Sequence, residues 1–419
     1  MLSRFIGALV VAVGLVSVAS AQPVEPSMDF QGFPSSPAPA AGYEGMDDPA
    51  AASQGGNPAA PFYRFWLTGE YYLATMSNTS YVPLATTSPA TSLGLIGRPG
   101  TQVVIGGTQD FGGVSGFRIG GGMWLDGCRA YGVEWNASYL PKQTKSYSND
   151  GSGASILARP FYDTLLLTEN SRLISSTGQF AGSINSEFSN FYWNADITSV
   201  MRVLETSEWS LEHLISARYF NIEDTLRITD QSSALGAGSL IYRGLPVLTP
   251  GATVSVMDYY SMINRWYGGS AGFRINYNPG RLSASLQFRM GVGANLQSFS
   301  TDGTTTLRAS TTTLASAPGF TTASSSPGNY TASELSLAPE LNIRLGYNIT
   351  KRIAVTASYQ YLYMTNVGRL GDQVSRNVNP LVIPSSQFFS NTVTTDRNIT
   401  IRQSDFWLHG FTAGLMLTF

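Results

Sequence analysis

Lysine is almost missing from this chain, and charge of either sign is scarce. Three lysines stand against 22 arginines, and Asp, Glu, Lys and Arg together make up 12% of 419 residues, where about 25% is usual for soluble domains. A net charge of −2 gives no basic surface and argues against a nucleic-acid partner. A single cysteine, Cys128, excludes an intrachain disulfide and reads as a turn filler. Only two histidines, His213 and His409, are present. There is no His-Glu-x-x-His zinc motif, no phosphate loop ending in Gly-Lys-Ser/Thr and no Gly-x-Ser-x-Gly elbow. The expectation is therefore no cofactor, no metal and no enzymatic activity. Asp224, Asp230, Asp372 and Asp405 fall near connections and read as solvated carboxylates.

Long apolar runs are also lacking beyond the N-terminus, so no spanning helix of about 20 residues is available. At the start, Arg4 is the only charge before an apolar stretch from Phe5 to Val18, closed by Ala19-Ser20-Ala21. This pattern reads as a cleavable signal peptide over residues 1–21, which implies export. Residues 22–60 are rich in Pro, Ala, Gly and Ser, with Glu25, Asp29, Glu44, Asp47 and Asp48 and no base. They read as a disordered acidic linker, leaving 61–419 as one folded unit.

What the chain has in abundance is alternation. In the final "FTAGLMLTF", Phe411, Ala413, Leu415, Leu417 and Phe419 share one phase, and Thr412, Gly414, Met416 and Thr418 the other. In "VEWNASY", Val133, Trp135, Ala137 and Tyr139 alternate with Glu134, Asn136 and Ser138. Each is a strand with one greasy face and one small or polar face. Ten such segments follow: about 62–76, 113–125, 131–145, 187–204, 209–227, 259–277, 281–300, 334–350, 352–366 and 405–419. Short connections ("DGCRA", "ETSE", "NPG") alternate with long, polar, irregular ones, among them Thr301 to Ser333, about half Ser and Thr. A soluble sandwich gives no reason for that rhythm. An outer-membrane barrel does, with short periplasmic turns and long external loops. The expected fold is all-β: an antiparallel up-and-down transmembrane barrel of about 10 strands, or 12, with five external loops. Phe419 would close the last strand on the first, facing lipid, where its position resembles the C-terminal aromatic signature read by the barrel-assembly machinery.

The stretches "GFRIGGGMWLDGCRAYGVEW", "NRWYGGSAGFRINYNPGRLSASLQFRMGVGANLQSF", "LAPELNIRLGYNITKRIAVTASYQYLYMTNVGRLGDQV" and "DFWLHGFTAGLMLTF" resemble the seventh of the numbered β-barrel porin families of planctomycete bacteria. The likeness runs from about Trp66 to Phe419. It implies an outer-membrane location and a pore role, with no substrate and no catalytic residues.

If the greasy phase meets lipid, the other phase lines the lumen. Glu70, Arg118, Asp196, Arg218, Arg289 and Glu340 then lie at one height, giving neighbouring pairs Glu70 with Arg118, Asp196 with Arg218, and Arg289 with Glu340. Lower down, Glu134, Arg202, Glu212 and Arg274 alternate in sign, and Arg344 shares the inward phase. These belts either fill the lumen or act as a selectivity ring. Eight strands leave an interior just filled by side chains and 16 to 18 leave a water channel. Ten strands therefore favour a narrow or gated conduit for small solutes or ions. The alternative is a structural or surface-display barrel whose loops bind something outside. His213 and His409 both fall on the lipid-facing phase.

Overall fold

The computed structural model describes residues 65–316, 318–324, 328–393 and 399–419. The expected leader and acidic linker lie outside them. Ten long strands carry the fold: β1 (Phe65–Met76), β2 (Val114–Trp124), β3 (Tyr131–Gly151), β4 (Phe180–Glu205) and β5 (Trp209–Ala234), then β6 (Thr253–Tyr277), β7 (Leu282–Ala309), β8 (Gly328–Asn348), β9 (Ile353–Gly368) and β10 (Gln403–Thr418). Each pairs antiparallel with its neighbours in sequence, and β1 pairs with β10, so the ring of ten closes. The Phe419 amide donates to the Phe65 carbonyl (2.8 Å), and the Phe65 amide to that of Phe419 (3.3 Å). No edge is left in the ring, which is what a sheet in hydrocarbon requires.

The greasy phase points outward. Phe117, Ile119, Trp135, Ile197, Ile215, Leu345, Phe411 and Leu415 are all exposed. Aromatic residues mark both edges of this band, as the interfaces of a bilayer require. At the turn end Trp209 stacks on Tyr277 (4.3 Å), and toward the loop end Trp193, Tyr219 and Tyr267 form a row with centroids 4.7 and 4.9 Å apart. From Tyr267 to Tyr277 is about the 9–11 residues a tilted strand needs to cross. The barrel therefore faces lipid, and Cys128 is exposed in the turn between β2 and β3.

Above the outer girdle the structure departs from the alternation read in the sequence. β4 to β7 each run 25 to 28 residues, well past the bilayer. The long connections are not simply irregular. Thr79–Ser88, Gln102–Gln109, Ile156–Asp163, Thr168–Ser175 and Asn377–Val378 make a second, five-stranded sheet. Its Tyr81, Leu84, Ile105, Leu157 and Ile174 pack on Phe188, Leu226, Ile228, Tyr260 and Phe299 of the barrel wall. Those wall residues continue the inward phase, so the loops fold into the outer half of the barrel. Likewise Thr301–Ala309 continues β7, and Thr312–Ser316 folds back onto it. Burial of apolar side chains on the inner wall, not polarity of the loops, sets this arrangement.

Candidate functional site

The interior is layered. Nearest the periplasm lies a water-accessible vestibule of about 410 Å³, and seven of the eleven inward charges line it: Arg118, Glu134, Asp196, Glu212, Arg274, Arg289 and Arg344. Strand geometry explains their facing: on each strand they share a phase with Ser, Thr, Gly and Asn while the alternate residues meet lipid.

Glu70 on β1 stands in register with Arg118 on β2, their side chains 3.9 Å apart, and also accepts Arg344 of β8 at 3.0 Å. Arg289 on β7 bonds its register partner Glu340 at 2.9 Å. Asp196 and Arg218 face each other in register but each takes a partner from further round the ring. Asp196 bonds Arg289 at 3.2 Å, and Arg218 bonds Glu340. Lower down, Arg274 grips Glu134 of β3 with both terminal guanidinium nitrogens and reaches Glu212 at 3.3 Å. Arg202 bonds Glu212 at 3.5 Å and the exposed Glu205 at 2.8 Å, its guanidinium lying 4.6 Å over the Trp124 ring. Sequence spacing suggests a chain of nearest-neighbour pairs. Two of the expected pairs form, Glu70 with Arg118 and Arg289 with Glu340, and guanidinium groups also span the lumen to strands further round, because a ten-strand ring is narrow enough for arginine to cross it and small residues leave the way open. Between Arg218 and Glu340, for instance, β6 contributes Gly268.

Directly outward of the charges sits an apolar layer that the sequence reading did not anticipate. Tyr72, Leu140, Tyr192, Phe220, Trp266, Leu362 and Phe406 come from seven strands and are all at most 1% exposed. Trp266 lies against Phe220 (5.1 Å) and Tyr192 stacks on Phe406 (6.2 Å). The indole of Trp266 rests on bare backbone, since a Cβ at Gly268 or Gly293 would come within 2.4 and 2.6 Å of its ring. Those strand glycines mark a close approach. The signal was available: in "GEYYLATM" the phase of Glu70 turns to Tyr72, Ala74 and Met76.

Further out, two buried ionic staples fasten the loops to the wall. Arg159, on the loop sheet, bonds Asp258 of β6 at 2.7 Å and Asp230 of β5 at 3.1 Å, and Asp230 also binds Arg172. Asp258 further accepts from the amides of Phe320 (2.9 Å) and Thr322 (3.0 Å). Burial would raise the Asp258 pKa, but the Arg159 guanidinium and the Thr322 hydrogen bonds hold it below the usual carboxylate range. In the second staple Arg369 bonds Asp224 at 3.0 Å and Ser77 at 2.6 Å. Asp224 and Asp230 are thus not solvated carboxylates; an arginine claims each. Asp372 and Asp405 are exposed. Among the described residues no group of three or more His, Cys, Asp or Glu is placed to hold a metal. His213 and His409 lie on outward phases, half-buried.

A closed, edge-free ring with a lipid-facing apolar band, two aromatic girdles and a charge-lined interior defines an outer-membrane β-barrel. Within that class, the chain belongs to the family described as Putative beta barrel porin-7, which matches residues 66–419. Solved structures similar to it include the outer membrane protease OmpT from Escherichia coli, with 9% identity and a TM-score of 0.40, covering 84% of this chain and 97% of that one. A FadL homologue from Pseudomonas aeruginosa has 6% identity and a TM-score of 0.21, covering 85% and 90%. An anion-selective porin from Comamonas acidovorans has 9% identity and a TM-score of 0.16, covering 84% and 100%. No curated protein matches the chain.

Proposed function

We propose that this barrel is a gated outer-membrane conduit for small hydrophilic solutes, at rest in the closed state. The observation that carries it is the apolar layer: a ring of fully buried, mostly aromatic side chains directly above an open, charge-lined vestibule. A hydrophobic constriction blocks ions by excluding water, and opens when it wets. The loop sheet above adds a second barrier, held to the wall by side-chain packing and discrete ion pairs rather than by a continuous backbone ladder, so it has a way to move. The eleven charges both narrow the lumen and set which ions approach. No step here is catalytic.

The purified full chain in a planar bilayer is expected to be silent for long periods, with brief discrete steps. Arg289→Gln removes the side chain that joins Asp196 to Glu340 and is expected to change step size or ion preference by severalfold. A folded, reconstituted barrel that never conducts, under any voltage or loop variant, would refute the conduit. It would leave the second reading, a surface-display barrel, which is favoured by the cavity of about 330 Å³ among the outer loops. That cavity mixes aromatic walls such as Phe320 and Phe388 with Gln179, Ser385 and Gln387.

The same proposal includes export by the leader and insertion by the barrel-assembly machinery, reading the last strand. Phe419 faces outward, exposed, next to the seam. Phe419→Ser is expected to lower the amount of assembled barrel in cells severalfold. Refolding of the same variant into detergent should be nearly unchanged, because the two seam hydrogen bonds are backbone. Heat-modifiable gel migration reads both. Equal loss in cells and in detergent would make the residue merely structural.

A further inference from the structure

We infer that the periplasmic vestibule is a binding site for a small oxyanion, phosphate or carboxylate in chemistry. Among the eleven inward charges, six are arginines and five are carboxylates, and of those lining the vestibule Arg344 is the most exposed, with Glu134 next at 20%. The Glu70 and Glu340 side chains are 1% and 0% exposed, and each is shared by two arginines. The Arg344 side chain is 26% exposed and its ion-pair partner is Glu70, which Arg118 also uses. Arg344 therefore carries positive charge to the vestibule that its own wall only half neutralises. The vestibule carboxylate Glu134 is itself gripped by both terminal nitrogens of Arg274.

A second observation points at the same spot. Asn342, two residues before Arg344 on the same face of β8, is 6% exposed and lines the vestibule, yet its Nδ2 has no hydrogen-bond partner among the described residues. A buried unpaired donor is costly, and native sites that keep one usually supply it with an acceptor. Across the β7–β8 pairing, Ser285 stands opposite Arg344 and Ser283 opposite Gly346, and both serines line the vestibule. Guanidinium, amide nitrogen and two hydroxyls in one concave patch form a wall of donors. Such a wall suits an oxyanion, whose oxygens accept several bonds at once. This deepens the proposed conduit and rests on it only for what the anion is for, since binding can be measured with no passage at all.

Inorganic phosphate is titrated calorimetrically into the full chain in non-ionic detergent at low ionic strength. Saturable uptake of about one phosphate per barrel is expected, weakening as salt is added. Arg344→Gln and Asn342→Leu should each weaken it about tenfold, the worth of one hydrogen bond to a charged group. Arg344→Lys should recover part of the loss. Gel migration confirms that each variant remains a barrel. Absence of saturable uptake, binding by both variants as tight as by the unaltered chain, or stronger uptake of calcium than of phosphate would overturn the inference. The two readings fail separately. Conduction without phosphate binding removes the anion site and keeps the conduit; binding without conduction does the reverse.

Discussion

Arg159→Leu is expected to detach the loop sheet from the barrel wall while the ring itself stays closed. Leucine nearly fills the volume but leaves Asp258 and Asp230 buried with their shared cation gone. Breaking a buried pair in this way costs about 3–5 kcal/mol, so the population of open loops should rise by roughly two to four orders of magnitude. Trypsin cleavage at the loop arginines Arg172 and Arg376 would report it, against a resistant core. The pH response separates this mechanism from simple loss of packing. Asp258 has a lowered pKa in the folded protein. Its contribution is therefore complete above the ordinary value of 3.8, and disappears as pH falls below it. The unaltered protein should loosen its loops below about pH 4 and not in mild alkali. In Arg159→Leu no cation remains at 2.7 Å to offset burial, so protonation becomes favourable and the variant should regain loop protection as pH falls. The same pH trend in both proteins would show that Asp258 does not drive the staple.

Much of this architecture is legible in the sequence because lipid imposes a strict rule. Any strand in hydrocarbon must alternate, so Phe117, Ile119 and Phe411 announce the outer face, and the short turns announce the periplasmic side. The rule lapses past the bilayer. Ile184, Phe188, Ile228 and Tyr260 sit where the outward neighbours meet water, and the apolar phase switches from outside to inside. A reader following greasy-out alternation stops at that switch, which is where the expected segments end short: at 187 rather than 180 in β4, and at 259 rather than 253 in β6. The same switch hides the apolar layer, since Tyr72 and Phe406 count as polar-phase residues until their burial is seen. Phase finds the facing of the charges, and pairing by nearest neighbour finds Glu70 with Arg118 and Arg289 with Glu340 but misses the partners of Asp196 and Arg218. Asp196 and Arg218 are opposite in register, yet long arginine side chains choose partners across a narrow lumen by distance in space, which strand spacing does not encode.

Shaving the apolar layer is expected to convert a nearly silent barrel into a conducting one. Trp266→Ala with Phe406→Ala removes one ring from each aromatic pair, the tilted Trp266 with Phe220 and the stacked Phe406 with Tyr192. In a soluble core such truncations cost about 3–5 kcal/mol each. Here ten strands closed by ladder hydrogen bonds hold the ring, so the cost falls on the seal. The hydroxyls of Tyr72 and Tyr192 are buried without a hydrogen-bond partner among the described residues, which makes water the natural occupant of the space vacated. A wetted layer no longer excludes ions, and conductance should rise at least tenfold in time-averaged current, as discrete steps. Because the six arginines and five carboxylates beneath are untouched, the current should carry the vestibule's anion preference, read from the reversal potential in a salt gradient. Combining these changes with Arg159→Leu tests whether layer and loop sheet are barriers in series. If so, the double alteration conducts far more than either alone. If the shaved barrel is folded yet silent while Arg159→Leu conducts, the loop sheet is the gate and the aromatic layer only a core.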